Sequence, residues 1–269
     1  MIEVKYINSN NQSISFFTDK LKISDGIFHK RKWTINDGSI KKDAITYSIT
    51  LTLRGSIEER KKKLNELYDC FEVDLIKGMT GKLYYGDYYI NCFVSSSSVQ
   101  PNSILNCRTD DVLEIHCPIQ SWIKENIFSF FADDSEMLAD EGTKKYSYTY
   151  PYKYKKNIGS SNLNNDSICS SNFKLMIYGP VSNPSIMIGG NSYGVDVNLN
   201  VSEYLTIDSY SREIYITDIN GEIVNAFDFR NKEHYIFEKI NIGLNNVDWS
   251  GGFGFDVIVY DERSEPKWI

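Results

Sequence analysis

Between residues 173 and 260, apolar and polar residues alternate in short runs broken by glycine, asparagine and proline. This period of two restricts the fold more than any other feature of the chain. Lys174–Tyr178, Ser185–Ile188, Tyr193–Leu199, Tyr204–Asp208, Glu213–Thr217, His234–Phe237 and Phe253–Tyr260 each read as a strand, and strands at this pitch predict a β-sandwich. The tightest punctuation lies at Tyr178-Gly179-Pro180-Val181-Ser182-Asn183-Pro184. Two prolines fix φ there and Gly179 tolerates conformations closed to other residues. Ser185–Ile188 then leads into Gly189-Gly190-Asn191, which reads as a hairpin turn.

The first half carries the same alternation. Ile2–Tyr6, Ser13–Phe17, Leu21–Ile23, Ile45–Leu53 and Val112–Cys117 read as strands, and Asp37-Gly38 lies in a turn-prone stretch. One helix interrupts them. Ser56 and Glu59 form a capping box, and Ile57, Leu64, Leu67, Tyr68 and Phe71 recur at helical spacing up to a stop at Gly78. The run Arg60-Lys61-Lys62-Lys63 reads as a solvated face of that helix. Gly81–Val94 reads as a hairpin turning at Gly86-Asp87, Ser95–Asn106 as an exposed loop, and Ile158–Asp166 as loop. The acidic stretch within Phe131–Lys145 is the natural junction. We therefore expect a mainly β protein of two sandwich domains: 1–134, bearing a helix at 56–77 and a hairpin arm, and 135–269. No internal repeat of roughly 20–50 residues stands out.

Composition narrows the function. Aromatics make up 14% of 269 residues, with 19 Tyr, which suits pleated surfaces and interfaces. The net charge of −7 opposes nonspecific nucleic-acid binding, which needs clustered Lys and Arg. Cys70, Cys92, Cys107, Cys117 and Cys169 are odd in number and show no Cys-x-x-Cys spacing, so neither zinc nor a disulfide framework is expected. No signal peptide and no membrane-spanning apolar run is read.

Signatures of catalysis are also lacking. His29, His116 and His234 are far apart, no Gly-x-Ser-x-Gly elbow occurs, and Gly252-x-Gly254 enters a strand instead of a helix. Asp110-Asp111, Asp133-Asp134 and Asp140-Glu141 are sequence neighbours that point apart on a strand, and EF-hand spacing is missing. No catalytic residue, cofactor or metal is expected. The tyrosines of 146–154, Tyr152 and Tyr154 among them, together with Trp33 and Trp249, are candidates either for stacking on sugars or for subunit contacts. Trp249, beside Gly251-Gly252, suits an exposed loop tip.

Four pieces in order resemble the distal tail protein family of bacteriophages. They are the capped helix followed by Gly81–Ile90; Glu114–Trp122 with its Cys117-Pro118; the Gly179–Gly190 turn and hairpin; and the terminal Phe253–Trp268. The expected second proline before the aromatic is replaced by Ser121. The resemblance implies a non-catalytic virion protein, a homo-oligomeric and hexameric ring at the distal end of the tail. It implies partners in the tail tube protein, the tail-tip protein, a tape-measure protein and a receptor-binding protein, with no nucleic-acid binding and no membrane insertion. It implies assembly in the host bacterial cytoplasm and a galectin- or carbohydrate-module-like second domain. Gly179, Pro180, Asn183, Pro184, Gly189, Gly190, Pro266 and Trp268 are the motif positions, and Tyr84, Tyr85, Tyr88 and Tyr89 the candidates for the ring interface. The last strand either stays in the second domain or returns to the first. The alternative reading is a carbohydrate-binding module that mediates adsorption to host glycans.

Overall fold

The structure, a computed structural model, describes residues 2–25, 28–100, 108–132 and 159–268. It is mainly β. In chain order come β1 (Val4–Ile7), β2 (Ser13–Ser15), β3 (Leu21–Asp25), β4 (Trp33–Asn36), β5 (Ser39–Lys42), β6 (Ile45–Arg54), α1 (Ile57–Lys77), β7 (Gly81–Tyr85), β8 (Tyr88–Val99), β9 (Arg108–Cys117) and β10 (Trp122–Phe130). Then follow β11 (Gly159–Asn165), β12 (Phe173–Tyr178), β13 (Val181–Ser182), β14 (Ser185–Ile188), β15 (Asn191–Gly194), β16 (Asn198–Leu199), β17 (Tyr204–Asp208), β18 (Glu213–Thr217), β19 (Ile223–Asn225), β20 (Gly243–Trp249) and β21 (Phe255–Arg263). The chain forms two compact units: Met1–Lys124 with Glu262–Ile269, and Glu125–Asp261.

In the first unit, β3, β6, β9 and the far half of β8 pair antiparallel, while the near half of β8 pairs with β7, then β1, then β2. A register shift between Val94 and Ser96 bends β8 and lets one strand serve both sets. Alternation drives inward-facing residues into one core: Ile45, Tyr47, Ile49, Leu51 and Leu53 of β6 meet Leu113, Ile115 and Cys117 of β9, with Trp122 fully buried among them.

The second unit is a sandwich. One sheet runs β19-β18-β17-β12-β21 and the other β11-β20-β14-β15. Leu175 and Ile177 of β12, Leu205 and Ile207 of β17, and Val257 and Val259 of β21 share one apolar cluster with Ile186, Ile188, Leu163 and Val247 of the other sheet. Residues 179–184 carry the chain from β12 in the first sheet to β14 in the second, so the proline-rich punctuation is a change of layer.

Several local expectations differ from the structure. Ser95–Val99 continues β8 and is not loop, because pairing with β9 supplies what the serines lack in propensity. Residues 159–165 form β11 against β20 for the same reason. His234–Phe237 forms no strand; its backbone turns, although Ile236 and Phe237 are buried. The Gly81–Val94 hairpin forms, but it lies inside the first unit's sheet, and the exposed hairpin is β4–β5. The acidic junction beyond Ala132 and the 146–154 tyrosines lie outside the described residues.

Candidate assembly surfaces

Helix α1 positions the features that follow. Ser56 accepts a hydrogen bond from the Glu59 amide at 3.2 Å while the Glu59 carboxylate accepts from the Ser56 amide at 2.9 Å, which completes the capping box. Lys20 Nζ lies 2.7 Å from Glu59 Oε1. These bonds hold the exposed Glu59 carboxyl down at about 2, with the Lys20 contact the largest cause. The helix ends where Gly78 takes φ 63 and returns its N–H to Asp74 and Leu75.

Its inner face is polar at three points. Arg60, in the run read as solvated, is buried and donates through Nη1 to Thr109 Oγ1 at 2.9 Å. Tyr68 donates to Asp111 Oδ2 at 3.2 Å, and Ser97 Oγ donates to both Asp111 oxygens, at 3.0 and 3.2 Å. Burial raises the Asp111 carboxyl above its usual range despite these donors. Asp74, fully buried, accepts from Tyr6 Oη at 2.5 Å and from the Ser9 amide at 2.7 Å. Burial and that bond push the Tyr6 hydroxyl far upward. Ile57, placed by spacing on the inner stripe, is half exposed, because the stripe rotates to Leu67, Cys70 and Phe71.

Two surfaces stand out in the first unit. The hairpin β4–β5 pairs with no other strand among the described residues. Its register sets Trp33 opposite Lys42 and Ile35 opposite Ile40, so Trp33, Ile35 and Ile40 share one face at 45%, 70% and 63% exposure. Elsewhere, a groove of about 430 Å³ runs between α1 and β8, lined by Tyr68, Phe71, Leu75, Val94 and Val99 with Glu72 and the serines of β8. Past Cys92, β8 has β9 on one edge and no strand on the other among the described residues.

The motif residues of the second unit build its corner. The Gly179 amide donates to Glu203 O at 2.9 Å and precedes a cis peptide to Pro180. Asn183, at φ 48, donates its amide to Val197 O, and Pro184 O accepts from Val195. Gly189 and Gly190, at φ 59 and 89, make the turn from β14 to β15. Pro266 is buried, and Trp268 stacks on His29 at 3.7 Å in the first unit.

Of the four tyrosines read as ring candidates, Tyr88 and Tyr89 are buried and Tyr84 and Tyr85 are intermediate. Lys82 lies over Tyr89 at 4.3 Å and Lys5 over Tyr84 at 5.2 Å, so cations of their own sheet already cover the outward rings. Trp249 is no loop-tip aromatic: it is buried, edge-on to Phe130 and Phe255, because alternation along β20 turns it inward with Val247. Tyr152 and Tyr154 lie outside the described residues. Trp33 and Trp268 are both exposed; Trp33 lies on the β4–β5 hairpin, where its signal is Trp33 alternating with Ile35 before Asp37-Gly38.

The remaining candidates serve local structure. Asp110 accepts from Thr52 at 2.5 Å and pairs with Arg108, while Asp111 faces α1. The histidines are not brought together: His29 meets Trp268, His116 meets Thr46, and His234 borders an open concavity of about 510 Å³ in the second unit beside Arg212 and Arg230. Cys92 and Cys117 are buried, and burial raises the Cys92 thiol well above its usual value. Among the described residues no three His, Cys, Asp or Glu side chains gather to hold a metal ion, and no helix is long and apolar enough to cross a membrane.

No sequence model of a known protein family matches the chain, and no curated protein matches it. Solved structures do. A chain of the phage P2 baseplate in its activated conformation with calcium is 12% identical, with a TM-score of 0.61 over 99% of this chain and 100% of that one. The strontium form of that baseplate gives the same figures: 12% identity and a TM-score of 0.61 over 99% and 100% of the two chains. The Dit protein of phage SPP1 (gp 19.1), described as a paradigm of hub adsorption apparatus in phages infecting Gram-positive bacteria, is 8% identical, with a TM-score of 0.57 over 98% and 99% of the two chains. At this divergence sequence comparison is silent, and backbone geometry identifies the chain's architecture as the fold of phage baseplate and Dit hub proteins.

Proposed function

We propose that this protein is a non-catalytic structural component of a phage tail: a ring, hexameric in our reading, at the distal end that joins the tail tube to the tail-tip and host-recognition apparatus. One observation carries the reading. The similarity to baseplate and Dit chains runs over nearly the whole of this chain and of each neighbour, which supports a role common to the full length of the chain. The first unit would make the ring, with one face toward the tube and the other toward the tip. The second unit would project outward as decoration or receptor-binding support. Different patches meeting on successive subunits close into a ring when the rotation permits. Tape-measure and receptor-binding proteins are further partners in this scheme, and the finished protein would reside in the virion tail after assembly in the host cytoplasm.

Electron micrographs of the purified protein test the proposal. Class averages are expected to show closed rings with six-fold symmetry, and co-purification is expected to recover the tail tube or tip protein. A protein that stays monomeric at every concentration and binds neither partner overturns it.

A further inference from the structure

The hairpin β4–β5 and the α1–β8 groove belong to the same unit, and neither covers the other. Ile35 and Ile40 stay about two-thirds exposed, and Leu75 in the groove is 46% exposed. An isolated two-stranded hairpin is marginal in water, and an apolar face on it makes it more so. Such an arm is stabilised when a partner surface takes that face.

Charge says which surface that is. Residues 30–43 hold Lys30, Arg31, Lys32, Lys41 and Lys42 against Asp37 and Asp43, a basic segment on a chain of net charge −7. The part of α1 beside the groove is the reverse. Between Leu64 and Ile76 the acidic residues that face solvent are Glu66, which pairs with Lys63, Asp69, and Glu72, which lines the groove, with no basic residue among them. Opposite potentials of this kind steer association and fix register. The groove floor adds Phe71, Val94 and Val99, and the edge of β8 that has no strand on it among the described residues offers backbone groups to an incoming strand.

We infer that the β4–β5 arm docks through Trp33, Ile35 and Ile40 into the α1–β8 groove of a second copy of this chain, with Lys42, on the same face as Trp33, set against Glu72 of the groove. The contact joins two different patches, so it is heterologous and propagates from copy to copy until the ring closes. The inference rests on the ring reading above and names the surfaces that would make it.

Light scattering after size exclusion, on the full chain, tests it. The variants are Lys42→Glu, Glu72→Lys, the two together, and Ile40→Asp alone. Every changed side chain is exposed or half-buried, so thermal melting is expected to stay at the wild-type temperature. Each single reversal is expected to weaken self-association about tenfold or more, the double swap to restore it, and Ile40→Asp to abolish it. If the wild type is oligomeric and these variants leave its mass unchanged, the docking is wrong and the ring reading stands. If both reversals dissociate the oligomer but the swap fails to restore it, the pairing of arm with groove is wrong. A wild type that is monomeric throughout overturns both.

Discussion

Gly81 is small because it must be. A Cβ built there would lie 2.3 Å from Tyr6 Oη and 2.5 Å from Asp74 Oδ2, inside the bond that joins β1 to the helix. Gly81→Ala must therefore push apart a buried hydroxyl and carboxylate, at a cost of about 1–3 kcal/mol. Gly252→Ala, whose Cβ would meet nothing nearer than 3.8 Å, is the control; urea midpoints of the two variants are expected to differ clearly. Asp111 makes a second expectation, in pH. Its carboxyl holds its proton to higher pH in the folded chain than in the unfolded one. Its contribution to stability is therefore largest in acid and falls as pH rises from the unfolded value near 3.8 through the raised one. The stability of the wild type minus that of Asp111→Asn, from urea titrations, is expected to be greater at acid pH than at neutral pH. Neither role was legible in sequence. Gly81 looked like the start of a hairpin and Asp111 like one of two acidic neighbours pointing apart on a strand, because the partners that define them come from residues far away in the chain. Trp249 misleads for the related reason that a Gly-Gly neighbour suggests a loop tip, whereas pairing of β11 with β20 turns its ring into the core.

Elements were legible where local chemistry decides them. The helix announces itself because Ser56, Glu59 and Gly78 are all within its own sequence, and the structure places its ends at Ile57 and Lys77. Strands β6, β9 and β12 are equally plain, since each alternates apolar residues against polar ones. Strands β11 and β20 are not. Gly159–Asn165 reads Gly-Ser-Ser-Asn-Leu-Asn-Asn, with Leu163 its one apolar residue, so its strand character comes from seven residues of register with β20. The helix cap carries its own expected pH response. Glu59 ionises at about 2 in the folded chain, below its ordinary 4.5, so its support for the first turn is complete above the ordinary value and is lost as pH falls toward 2. Protection of the Ser56 to Arg60 amides, measured against intrinsic exchange at each pH, is expected to fall through that acid window. Glu59→Gln, which keeps a cap acceptor but no charge, is expected to remove the pH dependence. An unchanged acid profile in that variant refutes the assignment to Glu59.

For the whole molecule, alternation with turn residues was enough to read a mainly β chain, because both cores are filled by inward-facing residues of their strands. What it could not supply is how segments distant in sequence share one unit. Residues 262–268 pack within the first unit, and Gln120 shows why. Its fully buried side chain accepts from the Lys32 amide at 2.8 Å and donates to Lys30 O at 2.7 Å and to Ser264 O at 3.1 Å. One amide thus ties the root of the β4–β5 arm to the end of the sequence, reinforced by Ser121 on Glu262 and by Trp268 on His29. Gln120→Ala leaves one buried donor and two carbonyls without that partner, at about 1–3 kcal/mol for each group left dry. Hydrogen exchange is expected to quicken in residues 30–42 and 262–267 and to stay unchanged in β12 and β17, whose packing lies wholly in the second unit. Gln120→Glu separates the two halves of the clamp. Its carboxylate still accepts from Lys32 but cannot donate to Lys30 or Ser264, so residues 262–267 should loosen as fully as in Gln120→Ala while the Lys32 amide stays protected. If the arm is the assembly element inferred above, Gln120→Ala also weakens self-association while every arm side chain remains wild type, because an unanchored hairpin must lose more freedom on docking. Arm exchange that is unaffected in Gln120→Ala would show that Trp33–Lys42 is held by contacts other than this clamp.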